Sequence, residues 1–500
     1  MTTPTRASEL AEVDGVGERF AQPRAEISPE MLTSLEGTGA EVLTDETSRA
    51  DRGRDWWPLS IGWAAQGRVG ALPSVVVRPH STEQVSAVLA LCNDAGIPVT
   101  PVAGRSGVCG GSIPLRGGVS LDLTGLDRFL EVDESSLTLR VEAGVFGPDL
   151  EANLGRVGSG YTLGHWPQSM DLSTVGGWLA CRGAGQYSTR YGKIEDMVRG
   201  LTVVLADGTV IRTEGTGPRA ATGPNLTQLF VGSEGTLGVI TEATLAIHPI
   251  PGSEQRGAWG FDSFAEGLEA CRRIMRRGAT PAVLRLYDVT ESLRNFDVES
   301  NVLIVLDEAD PLIVEATMAI VAEEVGAATT LDSALVERWL GHRNDVSSLK
   351  PLWEAKVVVD TIEMAGPWAS LTKVYDEVIA GLAGIEGTLV ASCHQSHAYT
   401  DGACLYFTFA GRVSKKPDDG FGDLDAEEAY YRRCWDVATE IIRTNGAAIS
   451  HHHGIGLNRG RFMAASLGAA HGVLREIKAS LDPQNILNPG KLGLDGDDQW

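Results

Sequence analysis

The sequence predicts an α+β fold with two large domains in series. Residues 74–102 have the pattern of a strand, a helix and a second strand, and short strands follow up to about residue 250. After Pro249-Ile250-Pro251 helical periods alternate with strands. At 500 residues the chain is too long for one hydrophobic core. We therefore divide it into an N-terminal extension at 1–69, a first domain at 70–251, a second domain at 252–445 and a C-terminal segment at 446–500.

The first domain opens with a predicted βαβ unit. "SVVVRP" is a β-branched strand, and "IPVTPV" is the second strand. Between them, "STEQVSAVLALCNDAG" predicts a helix with capping-box spacing between Ser81 and Gln84 and a stop at Gly96. Further along, "LTVVLADGTVIRT" predicts a hairpin that turns at Asp207-Gly208.

The second domain and the tail contain segments with the hydrophobic period of a helix. "FAEGLEACRRIMRRG" and "PLIVEATMAIVAEEVG" predict helices, whereas "NVLIVLD" and "ACLYFTFAG" predict strands. The tail segment "GVLREIKASLDPQNILNPGKL" predicts a helix that stops at Asp482-Pro483 and continues as an extended chain.

Composition excludes several classes of protein. A formal net charge of −24 leaves no basic stripe for nucleic acid. Seven cysteines without CxxC spacing indicate neither a disulfide framework nor a cysteine zinc site, so a reducing cytosol is the expected compartment. No signal peptide or spanning segment is predicted. Trp56, Trp57 and Trp63 leave peripheral membrane contact open, although we favour core or domain-contact positions for them.

Glycine crowds three stretches of the first domain. "PVAGRSGVCGG" (101–111) directly follows a predicted strand, where it is either an ordinary loop or a cradle of N–H groups for an anion such as pyrophosphate. "GHWPQSMDLSTVGGWLACRGAGQYSTRYGKIEDMV" (164–198) is long and has little periodicity, which is typical of functional segments. "GPNLTQLFVGSEGTLGVITEATL" (223–245) places glycines just before a strand. Three such loops would enclose a large, flat ligand.

With these loops, the chain resembles the flavoproteins of the vanillyl-alcohol-oxidase, or PCMH, fold. The segments "QSMDLSTVGGW", "GKIEDMV", "GPRAATGPN", "GSEGTLGVITEAT", "DGACLYFTF" and "SHHHGIG" are most similar to the alkyldihydroxyacetonephosphate synthase family, over about residues 70–492. The resemblance implies a PCMH-type FAD-binding domain of two α+β subdomains and an α+β cap domain with an antiparallel sheet. It also implies that the C-terminal segment returns to the flavin.

By position, the resemblance also assigns the cofactor contacts. The residues that would line FAD are Pro101, Val102, Ala103, Gly104, Arg105, Ser106, Gly107, Gln168, Ser169, Met170, Asp171, Leu172, Ser173, Thr174, Cys181, Arg182, Gly183, Ala184, Glu234, Gly235, Thr236, Leu237, Gly238, Val239 and Ile240. Arg105 either neutralises the diphosphate, which we favour, or points to solvent. The pyrophosphate loop has no histidine for a covalent tether, so we expect non-covalent FAD. Cys109 and Cys181 are lesser candidates for attachment, because a buried small hydrophobe is the commoner role of such a residue.

The triplet His451-His452-His453 has three interpretations. A metal site is disfavoured, because consecutive side chains point in different directions and cannot readily supply three ligands to one ion. A turn with one packed and two solvated histidines is the ordinary alternative. The resemblance implies that all three are catalytic and lie at the substrate face of the flavin, together with Tyr406. Without the resemblance, Tyr406 would be a core tyrosine of a strand.

Substrate contacts are also implied. Arg285, in "VLRLYD", matches an arginine of the synthases that would grip a phosphate or carboxylate, although a salt bridge to an acid such as Asp288 is a close alternative. Leu349 stands where the synthases have a further substrate-binding arginine, and neighbouring Lys350 would supply a charge without the guanidinium fork. His394 and His397 would add rings to the pocket wall, whereas His165 would order the loop beside the flavin.

Two enzymatic functions follow. In the first, the acyl group of acyl-dihydroxyacetonephosphate is exchanged for a fatty alcohol through a flavin N5 adduct, in ether lipid synthesis. In the second, an FAD-linked oxidoreductase oxidises a 2-hydroxy acid or another alcohol by hydride transfer to N5. A non-catalytic flavin-binding scaffold is disfavoured by the complete triplet and Tyr406. The expected partners are a small-molecule or lipid substrate and a second copy of the chain, in a cytoplasmic, possibly membrane-peripheral protein.

Overall fold

The structure is a computed structural model that describes residues 15–20, 23–213, 217–345, 349–413 and 425–495. The start of the predicted N-terminal extension and the last five residues of the predicted C-terminal segment lie outside these ranges.

The strands are numbered in chain order. They are β1 Gly17–Glu18, β2 Glu41–Leu43, β3 Arg68–Val69, β4 Val75–Arg78, β5 Val99–Val102, β6 Val119–Asp122, β7 Phe129–Asp133, β8 Thr138–Glu142, β9 Tyr161–Thr162, β10 Val198–Val204, β11 Val210–Arg212, β12 Val239–Ala246, β13 His248–Pro249, β14 Ser253–Phe261, β15 Val283–Tyr287, β16 Asn301–Ala309, β17 Thr329–Leu331, β18 Val358–Pro367, β19 Thr388–Ala398 and β20 Gly402–Gly411.

The helices are numbered in the same way. They are α1 Pro29–Gly37, α2 Glu46–Asp51, α3 Pro58–Ala64, α4 Thr82–Ala95, α5 Gly147–Leu154, α6 Val175–Cys181, α7 Ser188–Tyr191, α8 Ile194–Met197, α9 Leu226–Phe230, α10 Phe264–Arg276, α11 Val289–Phe296, α12 Pro311–Glu324, α13 Ala334–His342, α14 Leu349–Glu354, α15 Trp368–Ala383, α16 Ala426–Thr444, α17 Met463–Leu467 and α18 Ala469–Leu481, with short 3₁₀ turns at Leu123–Gly125 and Gly460–Phe462.

The first half of the chain builds two large sheets and two small ones, in which β1 pairs with β3 and β9 pairs with β13. A four-stranded sheet has the order β2-β4-β6-β5, in which β4, β6 and β5 are parallel and α4 makes the predicted crossover. A five-stranded antiparallel sheet has the order β11-β10-β12-β8-β7 and contains the predicted hairpin at Asp207-Gly208. The predicted α+β class is confirmed.

Helix α4 begins and ends almost as its sequence predicts. Ser81 Oγ accepts from the Gln84 N–H, and Gly96 takes the left-handed C-cap conformation. Only half of the predicted capping box forms, because the Gln84 amide donates to the Gly39 carbonyl and its oxygen accepts from the His80 N–H. A neighbouring segment has thus captured the side chain that would have closed the box.

The second half of the chain builds one seven-stranded antiparallel sheet, in the order β17-β14-β16-β15-β19-β20-β18. Residues alternate between its faces, as the two-residue period of a strand requires. In β20, Leu405, Phe407 and Phe409 are fully buried in a core shared with α10, α15 and α16. Tyr406 and Thr408, between them, point to the opposite face. That polar face forms one wall of the candidate site.

The tail packs on the first half of the chain, whereas the segment around α3 packs on the core of the second half. Beyond α18, which ends at the predicted Asp482-Pro483 stop, the extended tail pairs with β5: the Val99 N–H donates to the Ile486 carbonyl and the Asn488 N–H donates to Val99. Near the other end, Trp57 and Trp63 are 0% and 2% exposed, as expected for core residues. Within the described ranges, every helix is too short or too polar to span a lipid bilayer.

Candidate active site

One cavity of about 950 Å³ lies between the glycine-rich loops and the polar face of the seven-stranded sheet. Its volume is at the upper end of the range for ligand sites in proteins. All three glycine-rich stretches predicted to enclose a ligand contribute to its wall. The opposite wall is formed by side chains of β15, β18, β19 and β20 and by the tail.

The structure brings most of the predicted cofactor residues to this cavity. The residues that line it are Pro101, Val102, Ala103, Gly104, Arg105, Ser106, Gly107, Gln168, Ser169, Leu172, Thr174, Cys181, Gly183, Ala184, Glu234, Gly235, Gly238, Val239 and Ile240. They come from three separate loops, and the loop at 101–107 follows β5 directly.

Six predicted cofactor residues stay outside the cavity wall; they are Met170, Asp171, Ser173, Arg182, Thr236 and Leu237. Arg182 caps the end of α6 in a left-handed conformation, and its side chain pairs with Glu195 at the surface. Ser173 accepts a hydrogen bond from the Trp178 indole at 2.6 Å. These residues support the loops rather than line them, because neighbours in an irregular segment face different sides.

The loop at 101–107 fits the predicted cofactor in shape. A Cβ on Gly104 would stand 2.1 Å from the Leu172 carbonyl oxygen, so only glycine allows two of the loops to approach this closely. Arg105 is half-buried, lines the cavity and donates one hydrogen bond to the Asp51 carbonyl, so its contact with a diphosphate stays a prediction. Burial lowers the pKa of its guanidinium to about 10, which leaves it charged at neutral pH beside the cavity.

Polar atoms left unsatisfied inside the cavity also fit a bound cofactor. Both ring nitrogens of His165 are buried and have no hydrogen-bond partner within the described ranges, and the ring lines the cavity. Burial, and then the charge of Lys193, lowers the pKa of His165 to about 3, so the ring is neutral. A neutral imidazole with free nitrogens beside a glycine-walled cavity suits the polar edge of an isoalloxazine ring.

The two cysteines considered for covalent attachment both line the cavity. Burial raises the pKa of Cys109 and of Cys181 well above the ordinary value of 9, so both thiols stay protonated. The thiolate is the nucleophilic form of cysteine. These environments support the prediction that the cofactor is not covalently attached.

The histidine loop is held from the cap side by Glu363 of β18. The two carboxylate oxygens of Glu363 accept from the backbone N–H groups of His451 and His453, and one also accepts from Ser450. Arg459 lies 3.0 Å from the same carboxylate, and both side chains are fully buried. Burial alone would raise the pKa of Glu363, but the charge of Arg459 and the nearby histidines more than offset it and hold the pKa below its ordinary value.

The same loop is held from the flavin side by Glu234. Its carboxylate accepts from the N–H groups of Ile455 at 2.5 Å and Gly456 at 2.8 Å. A Cβ on Gly454 would stand 2.6 Å from this carboxylate, and one on Gly456 would stand 2.2 Å from the Cys109 carbonyl oxygen. Because both glycines also have positive φ, the Gly-Ile-Gly sequence is required for this contact. The loop is therefore fixed between the two halves of the chain.

The three histidines of the triplet do not face the same way. His452 and His453 line the cavity, whereas His451 is turned towards Tyr399, whose hydroxyl lies 2.8 Å from its Nε2. The Lys193 ammonium donates to the His451 carbonyl at 2.7 Å. Burial, followed by the charge of Lys193, lowers the pKa of His451 to about 3. The predicted direct catalytic place of His451 at the cavity is therefore not supported by its orientation.

The two cavity histidines are neutral at physiological pH. Burial lowers the pKa of His453 to about 4, and burial together with the neighbouring His453 lowers that of His452 well below 6.5. A neutral imidazole can both accept and donate a proton. His453 Nδ1 has no hydrogen-bond partner among the described residues and lies 3.7 Å from the Glu363 carboxylate.

Tyr406 lies between the histidines of two segments. Its ring stacks on His394 with centroids 4.8 Å apart, and it contacts the ring of His453 edge-on at 5.4 Å. Its hydroxyl accepts from Thr361 at 3.0 Å. Burial raises the pKa of Tyr406 above its ordinary value, so the phenol stays protonated. The structure thus places this tyrosine on the cavity face and not in the core.

Arg285 is buried in the cavity wall beside two aromatic rings. Its guanidinium donates to Tyr287 at 3.1 Å and lies 2.8 Å from His394 Nε2. Because arginine only donates, this nitrogen of His394 accepts, and the ring proton is on Nδ1 facing Glu291. In the described part of the chain, no carboxylate lies within 4 Å of Arg285, so the alternative salt bridge to Asp288 does not form.

Lys350 is not brought into the cavity. It lies on the outer side of α14, where its ammonium faces Glu354 at 3.9 Å, while neighbouring Leu349 lines the cavity. Successive residues of a helix point about 100° apart, so only one of the two can face inward. The prediction of Lys350 as a substrate cation is therefore corrected by the structure.

Two histidines of the triplet lie close to a third histidine, His397 of β19. Ligand atoms of His397, His451 and His452 lie within 4.8 Å of one another. Two of these residues are adjacent, as the sequence argument allowed, and the third comes from β19. His397 Nδ1 pairs with Ser188 at 2.7 Å, and His451 Nδ1 lies 2.9 Å from His452 Nδ1. These hydrogen bonds already engage the rings, and the expectation of no metal stays a prediction.

Sequence reasoning missed the supporting residues of the site. Glu363, Arg459 and Lys193 hold the histidine loop, and Arg343 lines the cavity at the end of α13. The first three are single charged residues in otherwise apolar or irregular segments, which carry no periodic signal. Arg343 follows Trp339 by four residues, so helical spacing places both on one face, and that pair could have been found.

Profiles of two protein families match the chain. The family described as "FAD binding domain" matches residues 73–214, and "FAD linked oxidases, C-terminal domain" matches residues 250–492. An alkyldihydroxyacetonephosphate synthase of Dictyostelium discoideum is 30% identical over 85% of this chain and 74% of the relative. A glycolate oxidase subunit, GlcD, of Bacillus subtilis is 28% identical over 87% of this chain and 92% of the relative.

Solved structures show the same fold. A structure of alkyldihydroxyacetonephosphate synthase has a TM-score of 0.77 and 26% identity, and the match covers 97% of this chain and 90% of that one. A structure of p-cresol methylhydroxylase has a TM-score of 0.73 at 18% identity, covering 95% and 99%. With the glycine-walled cavity, these matches show that the chain belongs to the FAD-linked oxidase family of enzymes with the PCMH-type fold, and that its cofactor is FAD.

Proposed function

We propose that this enzyme exchanges the acyl group of an acyl-dihydroxyacetonephosphate for a fatty alcohol. One observation carries the proposal: a single cavity joins the flavin loops, a buried arginine and an apolar opening. In such a substrate the phosphate head would meet the arginine, the reacting carbon would meet the flavin, and the aliphatic chain would lie in the apolar opening. A short 2-hydroxy acid would leave the apolar opening unused.

The apolar opening is formed by Trp56, Leu349 and Leu352, which line the cavity. Leu352 remains 36% exposed, which marks this side as the mouth. Burial of an aliphatic chain contributes about 0.8 kcal/mol for each CH₂ group. Leu349, which stands in place of the expected arginine, thus favours an aliphatic chain of the substrate at the mouth of the cavity. The anion would then bind deeper in the cavity.

The polar wall supplies the proton carriers. When the ester bond of the substrate breaks, a fatty acid leaves and the alcohol must lose its hydroxyl proton as the ether bond forms, so no electrons are gained or lost overall. Tyr406 is a protonated phenol that can donate to the leaving carboxylate, and neutral His452 or His453 can accept the alcohol proton. FAD, when bound, supplies the N5 centre at which the acyl-bearing carbon reacts.

The second candidate function is oxidation of a 2-hydroxy acid. The similarity to the glycolate oxidase subunit favours it. Arg285 would bind the carboxylate, and a neutral histidine would accept the hydroxyl proton. The two reactions differ in their electron count, which makes them separable.

The deciding experiment mixes the purified yellow protein, under anaerobic conditions, with acyl-dihydroxyacetonephosphate or with a panel of D-2-hydroxy acids. For exchange, the flavin band bleaches without a two-electron product, fatty acid is released, and added fatty alcohol restores the spectrum. Stable flavin reduction with formation of a 2-keto acid would instead establish the oxidase. The homodimer and the peripheral membrane contact expected from the sequence remain predictions, which gel filtration and vesicle flotation test.

A further inference from the structure

We propose that Arg343 is a second arginine for the substrate's anionic head, and that it replaces in space the arginine missing at Leu349. This inference rests on the proposed function, because it names the group that holds the phosphate. Arg343 follows α13, and its guanidinium reaches the same cavity as Arg285. No sequence motif assigns it, because it comes from a different helix.

The two arginines stand around one aromatic ring. The guanidinium carbon of Arg285 lies 5.4 Å from the centroid of Trp339, and that of Arg343 lies 5.5 Å from it. Arg343 is also 5.0 Å from the ring of Tyr187. Aromatic faces hold a guanidinium in place without consuming its hydrogen bonds to an oxyanion. Trp339 therefore brings two cations together from two separate elements.

Neither guanidinium forms a salt bridge with a described residue. In the part of the chain that the structure describes, no carboxylate lies within 4 Å of Arg285 or Arg343, and Arg343 Nη1 is buried without a hydrogen-bond partner. The neighbouring Arg338 is different, since it pairs with Asp297 at 2.9 Å. Arg285 is buried and Arg343 is half-buried. A cation withdrawn from water is normally paired, so two guanidiniums without a salt bridge indicate an anionic ligand.

Two further buried polar groups lie in the same cavity and could bind the polar head group of the substrate. Gln186 Oε1 and Ser396 Oγ have no hydrogen-bond partner among the described residues, although the two residues are only 7% and 3% exposed and both line the cavity. The Gln186 amide also donates to the Arg343 carbonyl at 3.4 Å, so the two residues are neighbours. A phosphate monoester offers oxygens to both arginines and to Ser396, and the hydroxyl of its carbon backbone can donate to Gln186.

The test compares Arg343→Gln with Arg343→Lys and with the control Arg443→Gln, because Arg443 pairs with Glu440 outside the cavity. Each FAD-loaded variant is titrated with sn-glycerol 3-phosphate, followed by the flavin absorbance, and assayed for exchange with acyl-dihydroxyacetonephosphate. For Arg343→Gln we expect roughly 10- to 100-fold weaker glycerol 3-phosphate binding and a similar rise in KM for the phosphorylated substrate. The kcat, the KM for fatty alcohol and the FAD content should change less than threefold. Arg343→Lys should restore part of the affinity, and Arg443→Gln should bind like the wild type.

The outcomes separate this inference from the proposed function. Exchange activity in the wild type with unchanged glycerol 3-phosphate affinity in Arg343→Gln would overturn the role of Arg343 and leave the function standing. Binding that depends on Arg343 without any exchange activity would support the anion site and refute the function. A D-2-hydroxy dicarboxylate that binds at least tenfold more tightly than glycerol 3-phosphate would overturn the assignment of a phosphate.

Discussion

The two walls of the cavity recognise their ligands by different means. The flavin wall consists of loops in which backbone groups and glycines such as Gly104 make the surface. The cap wall consists of strands whose side chains, among them Arg285 and Tyr406, make the surface. A backbone surface binds one fixed cofactor closely, whereas a side-chain surface can be changed residue by residue. This difference explains how one fold serves both synthases and oxidases.

The histidine loop belongs to neither wall, and both walls hold it. Glu363 binds it from the cap side, and Glu234 binds it from the flavin side. The position of His452 and His453 therefore depends on how the two halves of the chain meet. Changes that act on one wall should leave the function of the other intact, and changes at the loop should damage both.

The largest effect is expected for Glu363→Gln. This change leaves Arg459 charged and buried without its partner, which costs about 3–5 kcal/mol of unfolding free energy, and it also loosens the histidine loop. Urea unfolding measures the loss. Glu440→Gln is the control, because its pair with Arg443 is at the surface and contributes under about 1 kcal/mol. Equal stability of both variants would contradict the buried pair as a support of the loop.

Tyr406→Phe should act on the cap wall alone. If the phenol transfers a proton, turnover falls by roughly 100-fold, while FAD content and the melting temperature change little. Tyr430→Phe is the control, because it also removes a buried hydroxyl, one that lies 2.9 Å from Thr388 and away from the cavity. Turnover of Tyr406→Phe equal to that of the control would remove the tyrosine from the mechanism.

Gly104→Ala should act on the flavin wall alone. The new methyl group would meet the Leu172 carbonyl, and relieving the overlap should cost about 1–3 kcal/mol and weaken FAD binding. The measurements are flavin content after dialysis and the melting temperature. Gly37→Ala, where nothing lies within 4 Å of the added atom, is expected to match the wild type. Full FAD retention by Gly104→Ala would show that the loops need not approach so closely.

A pH dependence is expected at the loop. His453 titrates near 6.5 in the unfolded chain and at about 4 in the folded one, so between these values the unfolded chain binds more protons. The stability that this histidine contributes is therefore complete above pH 6.5 and is lost as the pH falls towards 4. The unfolding free energy of the wild type relative to His453→Gln should fall by about 1 kcal/mol per pH unit across this window. A difference that does not vary with pH would contradict a buried, neutral His453.

The flavin wall is more predictable from the sequence than the cap wall, for a physical reason. A surface made of backbone groups requires glycine, so the high glycine content of residues 101–111 and 223–245 identifies these loops in the sequence. Tyr406 occupies an ordinary alternating position of a strand, and only the family resemblance separates it from a core tyrosine. Leu349, and not Lys350, faces the cavity. The sequence could not distinguish the two, because the rotational phase of a helix cannot be read to within one residue from an irregular stretch. Glu363 acts on the histidine loop across a long sequence distance, which no local pattern reveals. Arg343 does carry a local signal, because it follows Trp339 by four residues.

The most direct test of the exchange reaction follows the oxygen atom of the alcohol. The enzyme is incubated with acyl-dihydroxyacetonephosphate and ¹⁸O-labelled hexadecanol, and the lipid product and released acid are analysed by mass spectrometry. Exchange predicts an ether lipid that carries the label and an unlabelled fatty acid, in equal amounts and without oxygen consumption. Intact acyl-dihydroxyacetonephosphate, together with flavin reduced by a 2-hydroxy acid, would contradict it.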